Sequence, residues 1–291
     1  MNFVPGLSIA VDYYRISIKN AISQPTVGSL IAGCFGNISA TSATSAACAL
    51  FRRNPVTGGL DGDPSTTGGL VFPASNSGRI LTDGIDLNIN YRHDFDFMKV
   101  SVNFNGNWTR RSDFEAIVAG SIVPPGFPGA GGPFNPTGTL SCVGLYGQNC
   151  GSPGSAGPNS SPGSLQPEFS WNQRTTLTFG DIDVSLLWRH IDKMKVEPIL
   201  TTFKGTLGVG ALAGTTVDFV RIKSYDYFDL ATRFGISDNF DMTLTVQNLF
   251  NRQPPVVGST VGSTAFNSGN TYPSTYDTLG RRFAVGAKLK F

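Results

Sequence analysis

The run Leu279-Gly280-Arg281-Arg282-Phe283-Ala284-Val285-Gly286-Ala287-Lys288-Leu289-Lys290-Phe291 alternates apolar residues with small or polar ones and stops on an aromatic side chain. In an extended strand successive side chains point to opposite faces. Phe283, Val285, Ala287, Leu289 and Phe291 therefore share one face, and Arg282, Ala284, Gly286, Lys288 and Lys290 share the other. One face suits lipid and the other a wet interior. A soluble sandwich also alternates, but its last strand is normally followed by polar, poorly ordered residues. An aromatic ending with no polar tail predicts an outer-membrane β-barrel.

Composition agrees. Charged residues make up 14% of the 291, against roughly 25% in ordinary soluble domains, yet mean hydropathy is near zero. Strands that are apolar on one side only give that combination. The sequence has no run of about 18 apolar residues, so any membrane crossing is made by strands and not by a helix. A net charge of +2 with no long basic cluster sets nucleic acid aside as a partner. The opening Met1-Asn2-Phe3-Val4-Pro5-Gly6-Leu7 is not a signal peptide. Either the mature numbering starts here or the chain is the tail of a longer protein, and the Pro5-Gly6 turn running straight into a strand favours the second.

Eight segments read as strands. The first runs from Leu7 to about Lys19, with a bulge or an exit from the bilayer expected near Tyr14 or Arg15, where Ile16 and Ile18 fall out of phase with Val11 and Tyr13. From Thr82 to Asp94, Ile85, Leu87, Ile89 and Tyr91 oppose Asp86, Asn88, Asn90 and Arg92. After a tight turn at 94–97, Met98, Val100, Val102, Phe104 and Trp108 oppose Lys99, Ser101, Asn103, Asn105 and Asn107. Trp171 to Phe179 turns at Gly180-Asp181 into Ile182 to Arg189. Tyr225 to Ile236 turns at Ser237-Asp238-Asn239 into Phe240 to Phe250, and the last strand is placed from about Tyr276 to Phe291.

Short turns alternate with long connections near 22–79, 111–167, 196–224 and 251–275, which carry most of the Gly, Pro, Ser and Thr. Structureless loops longer than about 15 residues are uncommon in a compact soluble domain. An outer-membrane barrel has short periplasmic turns and long external loops. Aromatic residues near strand ends, among them Tyr13, Trp108, Trp171, Phe179, Trp188 and Phe250, match its interfacial girdles, although aromatics favour strands in any case.

Three blocks carry a family resemblance: Tyr227-Phe228-Asp229-Leu230, Val246-Gln247-Asn248-Leu249-Phe250-Asn251-Arg252-Gln253-Pro254-Pro255, and Tyr276-Asp277-Thr278-Leu279-Gly280-Arg281-Arg282-Phe283 down to Phe291. Together they resemble the C-terminal end of TonB-dependent outer-membrane receptors. Val11-Asp12-Tyr13-Tyr14-Arg15-Ile16 and Gly84-Ile85-Asp86-Leu87 resemble interior strands of the same family. That barrel has about 22 strands around a plug. The resemblance therefore implies that residues 1–291 are a C-terminal portion of such a barrel, all-β and antiparallel, with neither plug domain nor TonB-contact segment (TonB box).

The implied setting is the outer membrane of a Gram-negative bacterium. The implied function is a receptor and transporter segment for uptake of a scarce nutrient of siderophore, cobalamin or oligosaccharide type. Implied partners are outer-membrane lipid, that small-molecule or oligosaccharide substrate, and the barrel-assembly machinery, with the TonB complex engaged only through the absent N-terminal part. The family's assembly signal maps onto Gly286, Leu289 and Phe291, with Ala284 where a polar residue is usual. The rival reading is a complete small eight-stranded barrel with a structural or adhesive role.

Cys34 and Cys48 share one expected external loop, and Cys142 and Cys150 another. In an oxidising compartment they read as two disulfides, each worth roughly 2.5–3 kcal/mol by loop entropy. A metal site would need a closely spaced Cys pair or a nearby His. His93 and His190 lack partners at ligand spacing and read as interfacial polar residues. Asp61-Gly62-Asp63 reads as a turn, since the remainder of a calcium loop is missing. Gly208-Val209-Gly210 with Gly214 has the wrong spacing for a dinucleotide fingerprint, and no serine sits in a Gly-x-Ser-x-Gly elbow. The chain is expected to be neither an enzyme nor a cofactor carrier. Its polar face offers Asp86, Arg92, Lys99, Arg174, Asp183, Arg189, Asp229, Arg233, Asp241, Arg282, Lys288 and Lys290, expected to pair across strands in a hydrated interior.

Overall fold

A computed structural model describes residues 4–23, 34–35, 40, 44, 46–60, 63, 65–71, 74–115, 140–147, 150, 165–197, 204–210, 213–257 and 271–289. Eight long strands follow in chain order: β1 (Leu7–Ser23), β2 (Ser75–Asp94), β3 (Lys99–Glu115), β4 (Phe169–Phe179), β5 (Ile182–Ile191), β6 (Tyr225–Ser237), β7 (Phe240–Gln247) and β8 (Arg282–Leu289). Each pairs antiparallel with its neighbours in sequence, so the sheet is a continuous meander.

The register puts every expected face where alternation puts it. Val11 lies opposite Leu87, Leu87 opposite Gly106, Ile89 opposite Phe104, Leu177 opposite Val184, and Leu244 opposite Val285. All stand on one face. Asp12, Asp86, Asn107, Asp183, Arg233 and Asp241 stand on the other. A one-residue slip anywhere would exchange the two faces. The apolar face is open: Val11 is 62% exposed and Val285 74%. In water such a surface would be a contiguous apolar patch with nothing over it; in lipid it needs no cover. No helix of the described residues is long and apolar enough to cross a membrane.

Three hairpins close tightly at one end. At the first, the Phe95 N–H donates to the Met98 carbonyl at 2.8 Å. The second turns at Gly180-Asp181 and the third at Asp238-Asn239. All the long connections lie at the opposite end, so the wall has a short-turn rim and a long-loop rim.

Several boundaries differ from the sequence reading. No bulge interrupts β1 at Tyr14 or Arg15. Pairing with β2 is continuous from Leu7 to Lys19, and the register shifts come at Lys19/Ala21 and Ala21/Ser23. Asn20 takes φ 57° there, a left-handed conformation that Asn tolerates better than most residues. Ile16 and Ile18 therefore stay in phase with Asp12. They belong to the upper part of a 17-residue strand, beyond the roughly 9–11 residues a spanning strand requires. β2 and β3 extend likewise, to 20 and 17 residues. β7 ends at Gln247, because Asn248 and Asn251 adopt φ 50° and 53° and turn the chain. β8 begins at Arg282 and not at Tyr276, since 276–281 form a turn tied to that one. Lys290 and Phe291 lie outside the described residues.

The long connections are not featureless. Phe51–Arg52 pairs with Gly69–Leu70, and Lys204–Thr206 with Thr216–Asp218. Met194–Val196 pairs with both Leu145–Tyr146 and Arg221–Ile222. Between them lies a buried apolar cluster of Tyr146, Leu165, Met194, Ile222, Val257, Tyr272 and Tyr276 that includes Tyr227 of β6. Tyr227 shares a face with Asp229, so the loops pack against the inner face at the long-loop rim.

Candidate functional site

The inner face begins with side chains that cannot enter hydrocarbon unpaired. Near the short-turn rim, Arg233 of β6 donates from Nε to Asp183 Oδ2 at 2.7 Å and from Nη1 to Asp241 Oδ1 at 3.0 Å, bridging β5 and β7. Thr178 adds a hydroxyl to Asp183 at 2.6 Å. Higher up, Arg189 of β5 meets Asp229 of β6 at 3.2 Å and lies 5.2 Å over the ring of Tyr227. Asp229 also accepts the Asn248 N–H at 2.8 Å, which fixes the start of the turn after β7. These cross-strand pairs are the expected ones, and they hold neighbouring strands at a set stagger.

Toward β1 the inner face changes from charge pairs to carboxamides. Asp12 and Asp86 stand directly opposite one another, an arrangement that repels. Asn107 relieves it, donating from Nδ2 to Asp86 Oδ1 at 2.7 Å and to the Tyr14 hydroxyl at 3.2 Å. Its own oxygen accepts from Thr109 at 2.8 Å, and Thr109 accepts from Gln166 at 2.9 Å. A shallow polar recess of about 360 Å³ opens beside this network, with Asp12, Asp86, Asn88, Asn105 and Asn172 on its walls. Gly84 makes the approach feasible: a Cβ there would stand 2.4 Å from the Trp108 carbonyl and 2.5 Å from the Tyr14 hydroxyl.

Above the wall, two disulfides tie the loops. Cys34 and Cys48 are bonded with Cα atoms 4.6 Å apart, and Cys142 and Cys150 with Cα atoms 5.3 Å apart. The second stands against the tyrosine cluster. The Cys150 N–H donates to Oε1 of the fully buried Glu197, whose own N–H donates to the Tyr146 carbonyl at 2.9 Å. Burial pushes the phenols of Tyr146, Tyr272 and Tyr276 far above their ordinary range. Tyr146 donates its hydroxyl to the Phe219 carbonyl at 2.7 Å, and Tyr272 donates to that of Gly147 at 3.3 Å.

The outer face carries aromatics near both rims. Tyr91, His93, Phe95 and Phe97 follow one another at ring separations of 6.3, 4.3 and 6.4 Å by the first short turn. Toward the long-loop rim, Trp171 meets Trp188 edge to face at 4.4 Å, and Trp188 stacks on Phe228 at 5.3 Å. His190 lies over Trp171 at 5.3 Å and shares the Asp226 carboxylate with Trp188, both at 2.8 Å. Each histidine thus sits among aromatic rings on the outer face, and among the described residues no group of three or more His, Cys, Asp or Glu could hold a metal ion. Asp63 accepts from Ser65 at 2.8 Å in a local turn; Asp61 and Gly62 lie outside the described residues. Of the expected assembly signal, Gly286 lies opposite Thr243 on the inner face and Leu289 opposite Phe240 on the outer, while Phe291 lies outside the described residues.

The sequence reading did not anticipate the tyrosine cluster, the buried Glu197, or the outward carboxylate Asp83 held between Arg110 and Arg111. The one legible signal was the density of tyrosine at 225, 227, 272 and 276.

No protein-family model matches the chain, and no curated protein matches it. Solved structures do. A double mutant of the ferric enterobactin receptor of Pseudomonas aeruginosa is 15% identical, with a TM-score of 0.50, over 99% of this chain and 29% of that one. A siderophore receptor of Acinetobacter baumannii is 16% identical, with a TM-score of 0.46, over 99% and 30%. An iron transporter of Neisseria meningitidis is 14% identical, with a TM-score of 0.46, over 99% and 29%. The chain thus spans less than a third of the length of these proteins. The likeness to the first shows the fold: an all-β antiparallel wall similar to part of that receptor.

Proposed function

We propose that residues 1–291 form the C-terminal part of the barrel of a TonB-dependent receptor in a Gram-negative outer membrane, and that the whole protein takes up a scarce nutrient. The observation that carries this reading is an open, two-faced wall. Its outer face is apolar and uncovered, its inner face is a ladder of paired charges and carboxamides, and its loops pack over the inner face at one rim. Among the described residues β1 pairs only with β2, and β8 only with β7. A complete eight-stranded barrel would join β1 to β8, so the open edges favour a larger barrel over the small structural or adhesive one. Each unpaired backbone group in lipid costs several kcal/mol, and further strands of the same receptor would satisfy both edges.

In this reading lipid covers the outer face, the plug meets the inner face, and Gly286, Leu289 and Phe291 address the chain to the assembly machinery. The TonB complex acts through the plug and contact segment, which residues 1–291 do not supply. The resemblance to a ferric enterobactin receptor makes an iron chelate the first nutrient to test, ahead of cobalamin and oligosaccharides.

The test is growth of a receptor-deleted strain on each nutrient as sole source, with either the complete reading frame or residues 1–291 behind a signal peptide. Growth from the complete frame that disappears on deleting TonB is expected. Growth from residues 1–291 alone, or growth indifferent to TonB, overturns the reading.

A further inference from the structure

The outer face should repel charge, yet at the long-loop rim of β1–β3 it carries a cluster of arginines. Tyr13 and Arg15 lie opposite Ile85 and Asp83, while Ile85 and Asp83 lie opposite Trp108 and Arg111. All share the face of Val11 and Leu87. The register shift at Asp83/Gly84 leaves Arg110 as an extra residue in β3, so the bulge brings two consecutive arginines to one level. Asp83, fully buried, holds them. Arg110 donates from Nε and Nη2 to its two oxygens at 2.7 and 3.0 Å. Arg111 Nε stands 3.5 Å from Asp83 and 3.9 Å from Asp113.

Two carboxylates, Asp83 and Asp113, face three guanidinium groups. Because Asp83 is buried, an approaching molecule meets the arginines instead: the side chains of Arg110 and Arg111 are 48% and 38% exposed, and Arg15 is exposed. A guanidinium carries five N–H donors, and Arg110 spends two on Asp83. Tyr13 lies against Arg110, and Trp108, whose Nε1 donates to Glu168 at 3.3 Å, lies one pair below. Aromatics of this kind mark the headgroup level of a bilayer.

We propose that Arg15, Arg110 and Arg111 form a site on the outer face for the phosphorylated headgroup of an outer-leaflet lipid. The proposal rests on the outer-membrane reading above. Guanidinium binds phosphate bidentately, and basic clusters at headgroup level recognise anionic lipids. Asp83 acts as the anchor: it aligns Arg110 and Arg111 edge-outward and supplies no negative charge to the surface a lipid would touch.

The test uses the protein from its complete reading frame, folded in neutral detergent. It is titrated with diphosphorylated lipid A and with the same lipid after phosphatase treatment, and binding is followed by native mass spectrometry and by tryptophan fluorescence. The test variant is Arg15→Gln with Arg111→Gln, which leaves the Arg110–Asp83 pair whole; Arg15→Lys with Arg111→Lys keeps the charge. The unaltered protein should prefer the phosphorylated lipid by about tenfold or more, an easily measured difference in affinity. The Gln variant should lose most of that preference, and the Lys variant should keep part of it. Equal affinity for the two lipids, or a Gln variant that binds like the parent, overturns the site while leaving the barrel reading intact. Failure of the parent to show the heat-sensitive gel mobility of a folded barrel, or to insert into bilayers, overturns the barrel reading and the site with it.

Discussion

The carboxamide oxygen of Asn251 accepts the backbone N–H of Arg281 at 3.1 Å, joining the turn after β7 to the turn before β8 across 30 residues. Each turn is also braced within itself. Asn248 donates to the Arg252 carbonyl at 3.0 Å and accepts that residue's N–H at 2.7 Å. Arg282 reaches Asp277 at 2.8 Å and Gln247 at 3.0 Å. Two of the three sequence blocks that carry the family resemblance, 246–255 and 276–291, therefore contribute the two halves of one clamp, which sets where β8 joins β7.

Gly280 is the tightest point of that clamp. It sits at φ 72°, and a Cβ there would stand 2.9 Å from Asn251 Oδ1. An L-residue in this conformation costs roughly 1–2 kcal/mol, and the contact adds to it. Gly280→Ala should lower the fraction of folded barrel in a urea titration by at least that margin. Asn251→Ala should cost less, about 1 kcal/mol for one lost hydrogen bond. An alanine at 280 that is neutral would show that the clamp is not formed.

The facing assignment can be tested at adjacent residues. Val184 lies on the outer face opposite Leu177 and Thr232, and Ser185 on the inner face opposite Thr176 and Ala231. Arginine at a lipid-facing midplane position costs on the order of 2–4 kcal/mol, whereas lumen positions stay hydrated. Val184→Arg should therefore deplete folded protein in an assembly assay far more than Ser185→Arg does. Equal losses would mean that the two faces are misassigned.

The loops should be stapled independently of the wall. Cys142 and Cys150 close a loop with a separation of 8 residues, for which loop entropy gives roughly 2.5 kcal/mol. That restraint lies beside Glu197 and the tyrosine cluster, which meets the wall only at its long-loop rim, through Tyr227 and Ile191. Cys142→Ser with Cys150→Ser should speed trypsin cleavage within 140–197 while leaving the heat-sensitive mobility of the barrel unchanged. Loss of that mobility would show that wall and loops fold as one unit.

What the sequence disclosed and what it hid divide along a physical line. Period-2 alternation reports local geometry, so the faces of Ile85 to Tyr91 and of Phe283 to Leu289 were readable residue by residue, and tight turns such as Gly180-Asp181 were marked by their own chemistry. Strand ends were not, because β2 continues through Ser75-Asn76-Ser77-Gly78 only by pairing with β1, which no local pattern announces. The loop core was hidden for a related reason. Tyr272 donates to Gly147 across 125 residues, and neither segment alternates. The change of phase at Ile16 is likewise ambiguous in sequence, since a bulge and a change of surroundings give the same pattern; continuous pairing from Leu7 to Lys19 removes the bulge at Tyr14 or Arg15.

Acid should open the clamp before it opens the wall. Burial alone would raise the Asp277 carboxyl, but the Arg282 guanidinium and the Leu279 N–H outweigh it, and the net shift is downward from the ordinary 3.8. A carboxylate with a depressed folded pKa contributes stability that is fully present above its unfolded value and lost as pH falls through the folded one. Protection of 276–282 from hydrogen exchange should therefore hold steady above about pH 4 and fall below it, by an amount on the order of 1 kcal/mol for a charge-assisted hydrogen bond. Asp277→Asn should lower that protection at neutral pH and remove its acid dependence. Persistence of the same acid transition in Asp277→Asn would assign it to another carboxylate and separate it from the clamp.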